Sequence, residues 1–316
     1  MKSSGTNDIL DGDSAANAQA DKPKKTEKSG SSKAQAIVSK MRAKSQGFAP
    51  ETTVVQLPLW SETSRGLPNA LARGAIFSAR SPSEPRFLIK GEQLASLSNI
   101  QISYRGEDLR QDDSSVFMNL LHIARTQPLG NCVYFTGYSM LVDLRWGVNG
   151  PAYDKLKECI DRLSATSVTV IITINGKRHA FGKSLVRSFE WRDEVTKTPM
   201  AQWRVTLEPE IVNLFSENTF TLIEWEERRQ IDSRASLALW LHSFLATHEK
   251  PYDYSVAKYY ELSGSRVKSM FHFRSGLKKA LSKLQKIGFL RSYQIDARDM
   301  VHVERHNRSH ALPLAS

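Results

Sequence analysis

Residues 265–290 read SRVKSMFHFRSGLKKALSKLQKIGFL, and this stretch decides the fold of the C-terminal part. Its apolar residues recur at helical spacing and predict the buried face of a helix: Leu277, Ala280, Leu281 and Leu284. Seven side chains in the stretch are basic: Arg266, Lys268, Arg274, Lys278, Lys279, Lys283 and Lys286. No acidic residue lies between Arg266 and Lys286, so the outward face of this helix suits a polyanion.

The elements around this helix predict a winged helix-turn-helix domain. In order, they are a helix capped by Ser233, a short helix over residues 255–262, the basic helix over residues 266–287, and a hairpin of residues 289–295 and 300–303. Ser265 is the expected cap of the basic helix, and Gly288 closes it. The hairpin that follows the three helices is the expected wing.

A similar order of elements occurs earlier in the chain. The predicted elements are strands at 75–79 and 100–104, a turn at Arg105-Gly106, a helix from Asp112 or Asp113 to 124, a strand at 133–135, a helix at 137–146, and strands at 168–174, 177–181, 184–191 and 202–207. Asn149-Gly150-Pro151 is typical of a helix start. Asn175-Gly176 is typical of a hairpin turn, so residues 168–181 are the expected wing of this first domain.

These patterns predict an α+β protein of two tandem winged helix-turn-helix domains behind a disordered basic tail. The expected divisions are a tail over residues 1–53, a first domain over 54–222, a second over 223–306, and a flexible tail over 307–316. Residues 1–53 are rich in Ser, Lys, Ala and Asp and hold one aromatic residue, Phe48, so they cannot bury enough apolar surface to fold.

Composition narrows the function. The formal net charge is +11 and the pI is about 9.6, which favours nucleic acid as a partner. No apolar run has the roughly 18 residues of a spanning helix, so we expect a cytoplasmic protein with no membrane partner. Two cysteines, Cys132 and Cys159, make neither a disulfide framework nor a four-thiolate zinc site. With no nucleophile or metal motif recognised, we expect no catalytic residue, metal or cofactor, and no enzyme.

The basic helix and its neighbourhood supply most of the predicted DNA contacts. The expected set in the second domain is Arg266, Lys268, Ser269, His272, Arg274, Lys278, Lys279, Arg291, Arg298 and His302. Arginine grips guanine in bidentate fashion, and Ser and Lys suit phosphate. The set in the first domain is Tyr153, Lys155, Lys157, Lys177 and Arg178, of which the helical members lie among acids. A weaker DNA contact or a protein–protein role is therefore expected there.

Residues 56–60 read QLPLW and are similar to the short peptide by which bacterial replication proteins dock onto the sliding clamp. Gln56, Leu57, Leu59 and Trp60 are the candidate clamp-binding residues. Pro58 and Trp60 depart from the commonest Ser or Asp and Phe. The alternative is that Leu57, Leu59 and Trp60 form the first core strand of the domain.

Several stretches together resemble the TrfA-type replication initiators of broad-host-range bacterial plasmids. They are LPLW, LPNALARGAIFSAR, SYRGEDLRQDD, DLRWGVNGPAYDKLKECIDRLSAT and SRVKSMFHFRSGLKKALSKLQKIGFL, within residues 57–303. The resemblance implies two winged-helix domains that bind direct repeats (iterons) at a plasmid origin. It further implies opening of an AT-rich region, recruitment of the host initiator, helicase and sliding clamp, and exchange between homodimer and monomer in copy control.

The leading hypothesis is therefore a plasmid replication initiator that binds iterons in double-stranded DNA. The alternative is a dimeric winged-helix transcriptional repressor, which would favour an inverted repeat because its own symmetry is dyad. A nicking initiator would need a tyrosine beside a metal-binding His pair, and Tyr252, Tyr254, Tyr259 and Tyr260 have no such pair nearby in the sequence. By family analogy, the hairpin of residues 168–181 is the expected self-association surface.

Overall fold

The computed structural model describes residues 56–306 except Asn131, Asn175, Asp193, Glu194, Lys197 and Glu217. The predicted tails, residues 1–53 and 307–316, lie outside the described residues. The first part of the chain contains β1 (Ser64–Pro68), α1 (Asn69–Ala72), β2 (Phe77–Ser78), β3 (Leu88–Leu94), β4 (Ile100–Glu107), β5 (Leu109–Arg110), α2 (Gln111–Ala124), β6 (Cys132–Phe135), α3 (Gly137–Asp143) and α4 (Gly150–Ser164).

The middle of the chain contains β7 (Ser167–Ile174), β8 (Lys177–Lys183), β9 (Val186–Arg192), β10 (Pro199–Leu207), a 3₁₀ helix (Pro209–Leu214), β11 (Phe220–Glu224) and α5 (Trp225–Arg229). The last part contains α6 (Ser236–Ala246), β12 (Tyr254–Ser255), α7 (Val256–Leu262), α8 (Met270–Lys286), β13 (Leu290–Ile295) and β14 (Met300–Arg305). The protein is thus a mixed α/β protein. None of the helices within the described ranges has the length and apolarity that a bilayer span requires.

Two three-stranded sheets share one strand order. In the first, β6 pairs with β10 and β10 with β9; in the second, β12 pairs with β14 and β14 with β13. Each sheet begins with a strand that follows a long helix and ends with a hairpin that follows two further helices. The chain therefore uses one topology twice, with the helices α2, α3 and α4 in the first unit and α6, α7 and α8 in the second.

The prediction that residues 168–181 form the wing of the first unit is wrong. β7 and β8 do not join β6; they extend β3 and β4 into a four-stranded antiparallel sheet in the order β3-β4-β7-β8. Apolar alternation explains this pairing, because Ile102 on β4 and Val170 on β7 lie opposite one another and both are buried. The hairpin that pairs with β6 is β9–β10. Arg105-Gly106 is not a turn either, since both residues lie inside β4 and pair with β3.

Several predicted helix and strand bounds also need correction. α2 begins at Gln111, with Asp113 at its third position accepting a hydrogen bond from the backbone N–H of Arg110, so neither Asp112 nor Asp113 is the cap. α6 begins at Ser236 rather than after Ser233. The strand predicted at 75–79 shortens to Phe77–Ser78, which pairs with β5 in parallel. The Asn149 cap of α4 is confirmed, since its side chain accepts from the Ala152 N–H.

Two hydrophobic cores lie within the described residues 56–306. The first core is built from buried residues between Leu57 and Trp225, and the second from residues between Ile231 and Val301. The halves meet through polar contacts to the segment after α1. The Ala79 N–H donates to the Ser263 carbonyl at 2.8 Å, and Arg80 Nε donates to the Gly264 carbonyl at 2.9 Å.

Candidate nucleic-acid interface

Helix α8 is amphipathic in the way its sequence predicts. Phe273, Leu277, Leu281 and Leu284 are buried against the second core, while the lysines at 278, 279, 283 and 286 are exposed. The 17 residues of α8 give a length of about 25 Å at 1.5 Å per residue, which is enough to cross a major groove. Gly288, in the left-handed region at φ 76°, follows the helix end at Ile287 as predicted.

The start of this helix differs from the prediction. α8 begins at Met270 with Ser269 as its N-cap, so Ser265 is not the cap and Arg266 is not helical. Residues 263–269 form a turn and loop instead. The Arg266 guanidinium stacks over the Phe87 ring of the first unit, with 3.9 Å from the central carbon to the ring centroid. This contact, and not a helical turn, fixes the position of Arg266.

Three of the predicted cationic contacts in the second unit are paired with acids. Arg274 Nε lies 2.6 Å from Asp299 Oδ1, and Arg291 lies 3.1 Å from Glu304. His302 lies 2.9 Å from Asp253 and also faces Asp296, and the hydrogen bond to Asp253 raises the pKa of its imidazole. These side chains therefore stabilise the wing and the start of α8 before any ligand binds.

A second group of predicted contacts is exposed and unpaired. Lys268, Lys278 and Lys279 have no carboxylate within ion-pair distance among the described residues, and Lys283, which was noted in the basic stretch, has none either. Arg298 is exposed in the turn between β13 and β14, where its backbone N–H donates to Asp296 Oδ1. Positive charge on α8 and at the tip of its hairpin is thus available to a ligand.

A groove of about 450 Å³ runs beside α8. Its basic side chains are three from α8 and one from the loop before α6: His272, Lys279, Lys283 and Arg234. Residues 236–238 in the first turn of α6 also line the groove, and Glu84 is the acidic residue among its described lining residues. Arg234 was not predicted, because nothing local in the sequence shows that the loop before α6 lies beside α8.

The predicted contacts of α4 are occupied by neighbours in the first unit. Tyr153 packs edge-on against Trp203. Lys155 lies over the Trp146 ring and 3.6 Å from Asp112, while Lys157 lies 3.1 Å from Asp154 and over the Trp191 ring. The outward surface of α4 also carries the exposed acids Asp154, Glu158 and Asp161. Its electrostatics are therefore much less favourable to a polyanion than those of α8.

Lys177 and Arg178 lie at the start of β8 and are exposed. They were predicted as wing contacts, but β8 belongs to the four-stranded sheet and not to the sheet that contains β6. The wing of the first unit is the β9–β10 hairpin, which carries Trp191, Arg192 and the highly exposed Val195 near its tip. These residues were missed because strand pairing between distant segments is not visible in local alternation.

The QLPLW segment is part of the first core. Leu57 and Trp60 are buried at 3% and 6% exposure, whereas Leu59 is 66% exposed. Trp60 stacks on Phe215, and its carbonyl accepts from Arg125 Nε at 3.1 Å. Gln56 Nε2 donates to the Arg125 carbonyl. Two of the four predicted clamp anchors are therefore occupied inside this protein.

One buried cluster offers side chains of metal-binding type: Asp112, Asp113 and Cys159. The carboxylates are engaged by arginines, since Arg86 lies 2.8 Å from Asp113 and 3.1 Å from Asp112. Burial raises the pKa of the Cys159 thiol well above its usual value, so the thiol stays protonated. The donor set is that of a structural ion network, and it does not fit a metal ion.

Sequence reasoning also missed an apolar group at the start of α8. Phe271 is 75% exposed, and Met270 and Val267 beside it are exposed as well. Helical spacing from the buried Leu277 places Phe271 on the outward strip that holds Ser275 and Lys278. Helical spacing counted from Met270 places Phe271 on the outward face, but the sequence pattern had placed the helix start at Arg266.

Two units of equal strand order and an exposed, acid-free helix define a class: a mixed α/β protein built from winged-helix-like units with a cationic surface. The chain belongs to the TrfA family, whose model, "TrfA protein", matches residues 20–305. The resemblance inferred from the sequence is thereby confirmed.

Two kinds of similar protein extend the comparison. The plasmid replication initiator protein TrfA of Escherichia coli is 29% identical over 248 residues, which make up 78% of this chain and 63% of that protein. The chain thus spans less than two thirds of that relative. A crystal structure of domains 2 and 3 of RctB is similar with a TM-score of 0.51, 13% identity, and coverage of 77% of this chain and 99% of that one. Its likeness shows the shared fold.

Proposed function

We propose that this protein is a plasmid replication initiator that binds direct repeats in origin DNA through helix α8. The observation that carries the proposal is the exposed cationic face of α8 in a chain of the TrfA family. The sequence around this helix has no acidic residue from Leu262 to Ile295. A sequence-independent attraction to phosphate supplies affinity, and side chains at the start of the helix supply sequence preference.

We interpret the two halves as tandem winged-helix domains over residues 54–222 and 223–306. The two separate cores and the repeated strand order support this division. In this interpretation α8 enters the major groove, and the β13–β14 turn with Arg298 reaches the flanking backbone. The helix α4 makes the weaker contact, because its cations are locally paired and interleaved with acids.

The phosphate contacts belong to Lys268, Ser269, Lys278, Lys279 and Lys283, with His272 and Arg234 beside them in the groove. Arg266 and Arg274 are proposed base contacts that must first leave Phe87 and Asp299, respectively. Binding therefore exchanges two intramolecular contacts for contacts with DNA, and we expect local rearrangement around residues 263–274 on binding.

A footprint of the full chain on DNA flanking its own gene tests the proposal. Several direct repeats beside an AT-rich tract support an initiator, whereas one inverted repeat supports the dimeric repressor. The double variant Lys278→Glu, Lys279→Glu should lose the footprint. The variant Lys177→Glu, Arg178→Glu makes the same charge change on β8 and should keep it. A footprint lost only in the β8 variant would contradict the assignment of α8.

The remaining steps of initiation are proposed from the family. They are opening of the AT-rich region, recruitment of the host initiator, helicase and sliding clamp, and homodimer–monomer exchange in copy control. They place the protein on plasmid DNA in the bacterial cytoplasm. We also propose, by family analogy, that residues 168–181 form the self-association surface. These residues lie in β7 and β8, and β8 is an edge strand of the four-stranded sheet.

Clamp docking by residues 56–60 requires that Leu57 and Trp60 leave the first core. We propose that the segment docks only when released, and Arg125 is the side chain that holds it, through the Trp60 carbonyl and Glu62. Arg125→Ala should therefore strengthen binding to a purified bacterial clamp, and a peptide of residues 54–62 should bind more tightly than the parent chain. Exposed Arg105→Ala is the control. Equal clamp binding by all four, or none by the peptide, would contradict the proposal.

A further inference from the structure

The first turn of α8 and the loop before it present apolar side chains to solvent. Phe271 is 75% exposed, Met270 43% and Val267 40%, and the ring of Phe271 makes an edge contact with that of His272. A solvated phenylalanine on a helix whose core contacts are made by Phe273, Leu277, Leu281 and Leu284 is not needed for packing. Its position, not its exposure alone, is informative, since single exposed apolar residues are common.

The surroundings of Phe271 are cationic. Lys268, His272, Lys278 and Lys279 are exposed on α8 or just before it, and Glu261 and Asp296 are the nearest acids along the chain. Asp299 is brought to this region by the fold and is paired with Arg274. An apolar protein partner would have to bring its own negative charge to this surface. Duplex DNA brings phosphates to the lysines and also carries one apolar group on its major-groove edge, the 5-methyl of thymine. The lysines and the exposed apolar side chains of this surface therefore match the phosphates and the thymine methyl groups of a major groove.

The arginine one turn along the helix from Phe271 is already engaged. Arg274 Nε lies 2.6 Å from Asp299, and its guanidinium also reaches the Asp296 carbonyl. Until Arg274 leaves Asp299, the groups in the first turn of α8 that can meet base edges are mainly Phe271, Met270 and His272. Contact rather than bidentate hydrogen bonding is the form of base recognition that these side chains provide.

We propose that Phe271, supported by Met270, recognises thymine in the bound DNA by packing against 5-methyl groups in the major groove. The inference rests on the proposed function, because it requires α8 to enter that groove. It adds a base class to the interface: sites must carry thymine where the first turn of α8 lies, and cytosine there is rejected because it lacks the methyl group.

The test uses duplexes enriched by the full chain from a random-sequence pool. Each thymine of the enriched duplex is replaced in turn by deoxyuridine, which removes only the methyl, and dissociation constants are measured by fluorescence anisotropy. At one or two positions the parent chain should bind about fourfold more weakly for each methyl lost. Phe271→Ala should bind the thymine and deoxyuridine duplexes equally at those positions. Leu88→Ala, which removes a similarly exposed apolar side chain on β3, should behave as the parent.

The outcomes separate the two proposals. Enrichment of a specific sequence with no sensitivity to deoxyuridine overturns the thymine contact and leaves DNA binding intact. Deoxyuridine sensitivity that persists in Phe271→Ala also overturns it, since another residue then touches the methyl. No enrichment of any sequence overturns sequence-specific binding itself. Because Phe271 is exposed, Phe271→Ala is expected to keep the melting temperature of the parent, which thermal unfolding checks.

Discussion

The indole nitrogen of Trp60 donates a hydrogen bond to Nδ1 of His122 across 3.1 Å. Nδ1 therefore carries no proton, and Nε2 donates to the carboxylate of Glu62 at 3.0 Å. Burial, reinforced by Arg65 and opposed by Glu62, lowers the pKa of His122 to about 4. The neutral imidazole thus belongs to the hydrogen-bond network of Trp60, His122 and Glu62 that holds the QLPLW segment in the first core.

Acidification should destabilise the protein by favouring protonation of His122, which the fold holds neutral. The pKa of His122 in the folded chain lies below its usual 6.5, so the unfolded chain binds more protons and stability is lost as the pH falls from about 6.5 toward 4. His248 acts in the same direction, because burial beside Arg73 lowers its pKa to about 4. Each contributes a slope of up to about 1.4 kcal/mol per pH unit.

Denaturant unfolding at a series of pH values measures this slope. His122→Gln should reduce the slope between pH 6.5 and 4.5 by about one proton, whereas Ser275→Ala on the exposed face of α8 should not change it. A parent protein whose free energy of unfolding stays level across that window would show that these imidazoles are not held neutral.

The Arg228 side chain connects the two halves of the protein. It is buried, and it donates to Gln111 and Ser115 on α2 and to the Leu239 carbonyl and Ser243 on α6. Burial lowers the pKa of its guanidinium to about 9. The five guanidinium N–H groups satisfy acceptors from both cores at once.

Arg228→Ala should lower the free energy of unfolding by about 3 kcal/mol, because it leaves buried acceptors without donors. It should also uncouple the halves, so that a single calorimetric transition separates into two. Arg234→Ala removes an exposed arginine a few residues away and is the control. One unchanged transition in Arg228→Ala would show that other contacts couple the halves.

The features that sequence predicted correctly are those encoded locally. Asn149 and Pro151 mark the start of α4, and the leucines of α8 define its inner face, because capping and helical phase depend on neighbours three or four residues away. The wing of the first unit was misassigned because Val168 and Val170 alternate identically whether β7 pairs with β4 or with β6. The start of α8 was misplaced because Arg266 is positioned by Phe87, a residue far away in the chain.

Gly264 lies where the second unit meets the first. Its φ of +63° is in the left-handed region, and a Cβ there would lie 3.1 Å from Cβ of Ala75 and 3.2 Å from that of Ser78. Gly288, at φ +76°, has open space around it in the described part of the chain. Gly264→Ala should therefore cost about 1–3 kcal/mol more than Gly288→Ala, since both bear the backbone strain and only the first adds tight contacts that its neighbours must shift to relieve. Equal melting temperatures of the two variants would show that the segment after α1 gives way freely.

The lysines of α8 should act through phosphate and not through base sequence. Lys279 and Lys283 line the groove beside α6, and each neutralised phosphate releases counterions. Replacing either lysine by glutamine should lower the slope of log K against log salt concentration by about 0.9 and leave the order of preferred sequences unchanged. Lys258→Gln, whose lysine pairs with Glu261 on α7, is the matched control. A variant that keeps the parent slope but changes the preferred sequence would show that the lysine contacts a base. The side of α8 that carries Lys279 and Lys283 would then face the bases of the DNA and not its phosphate backbone.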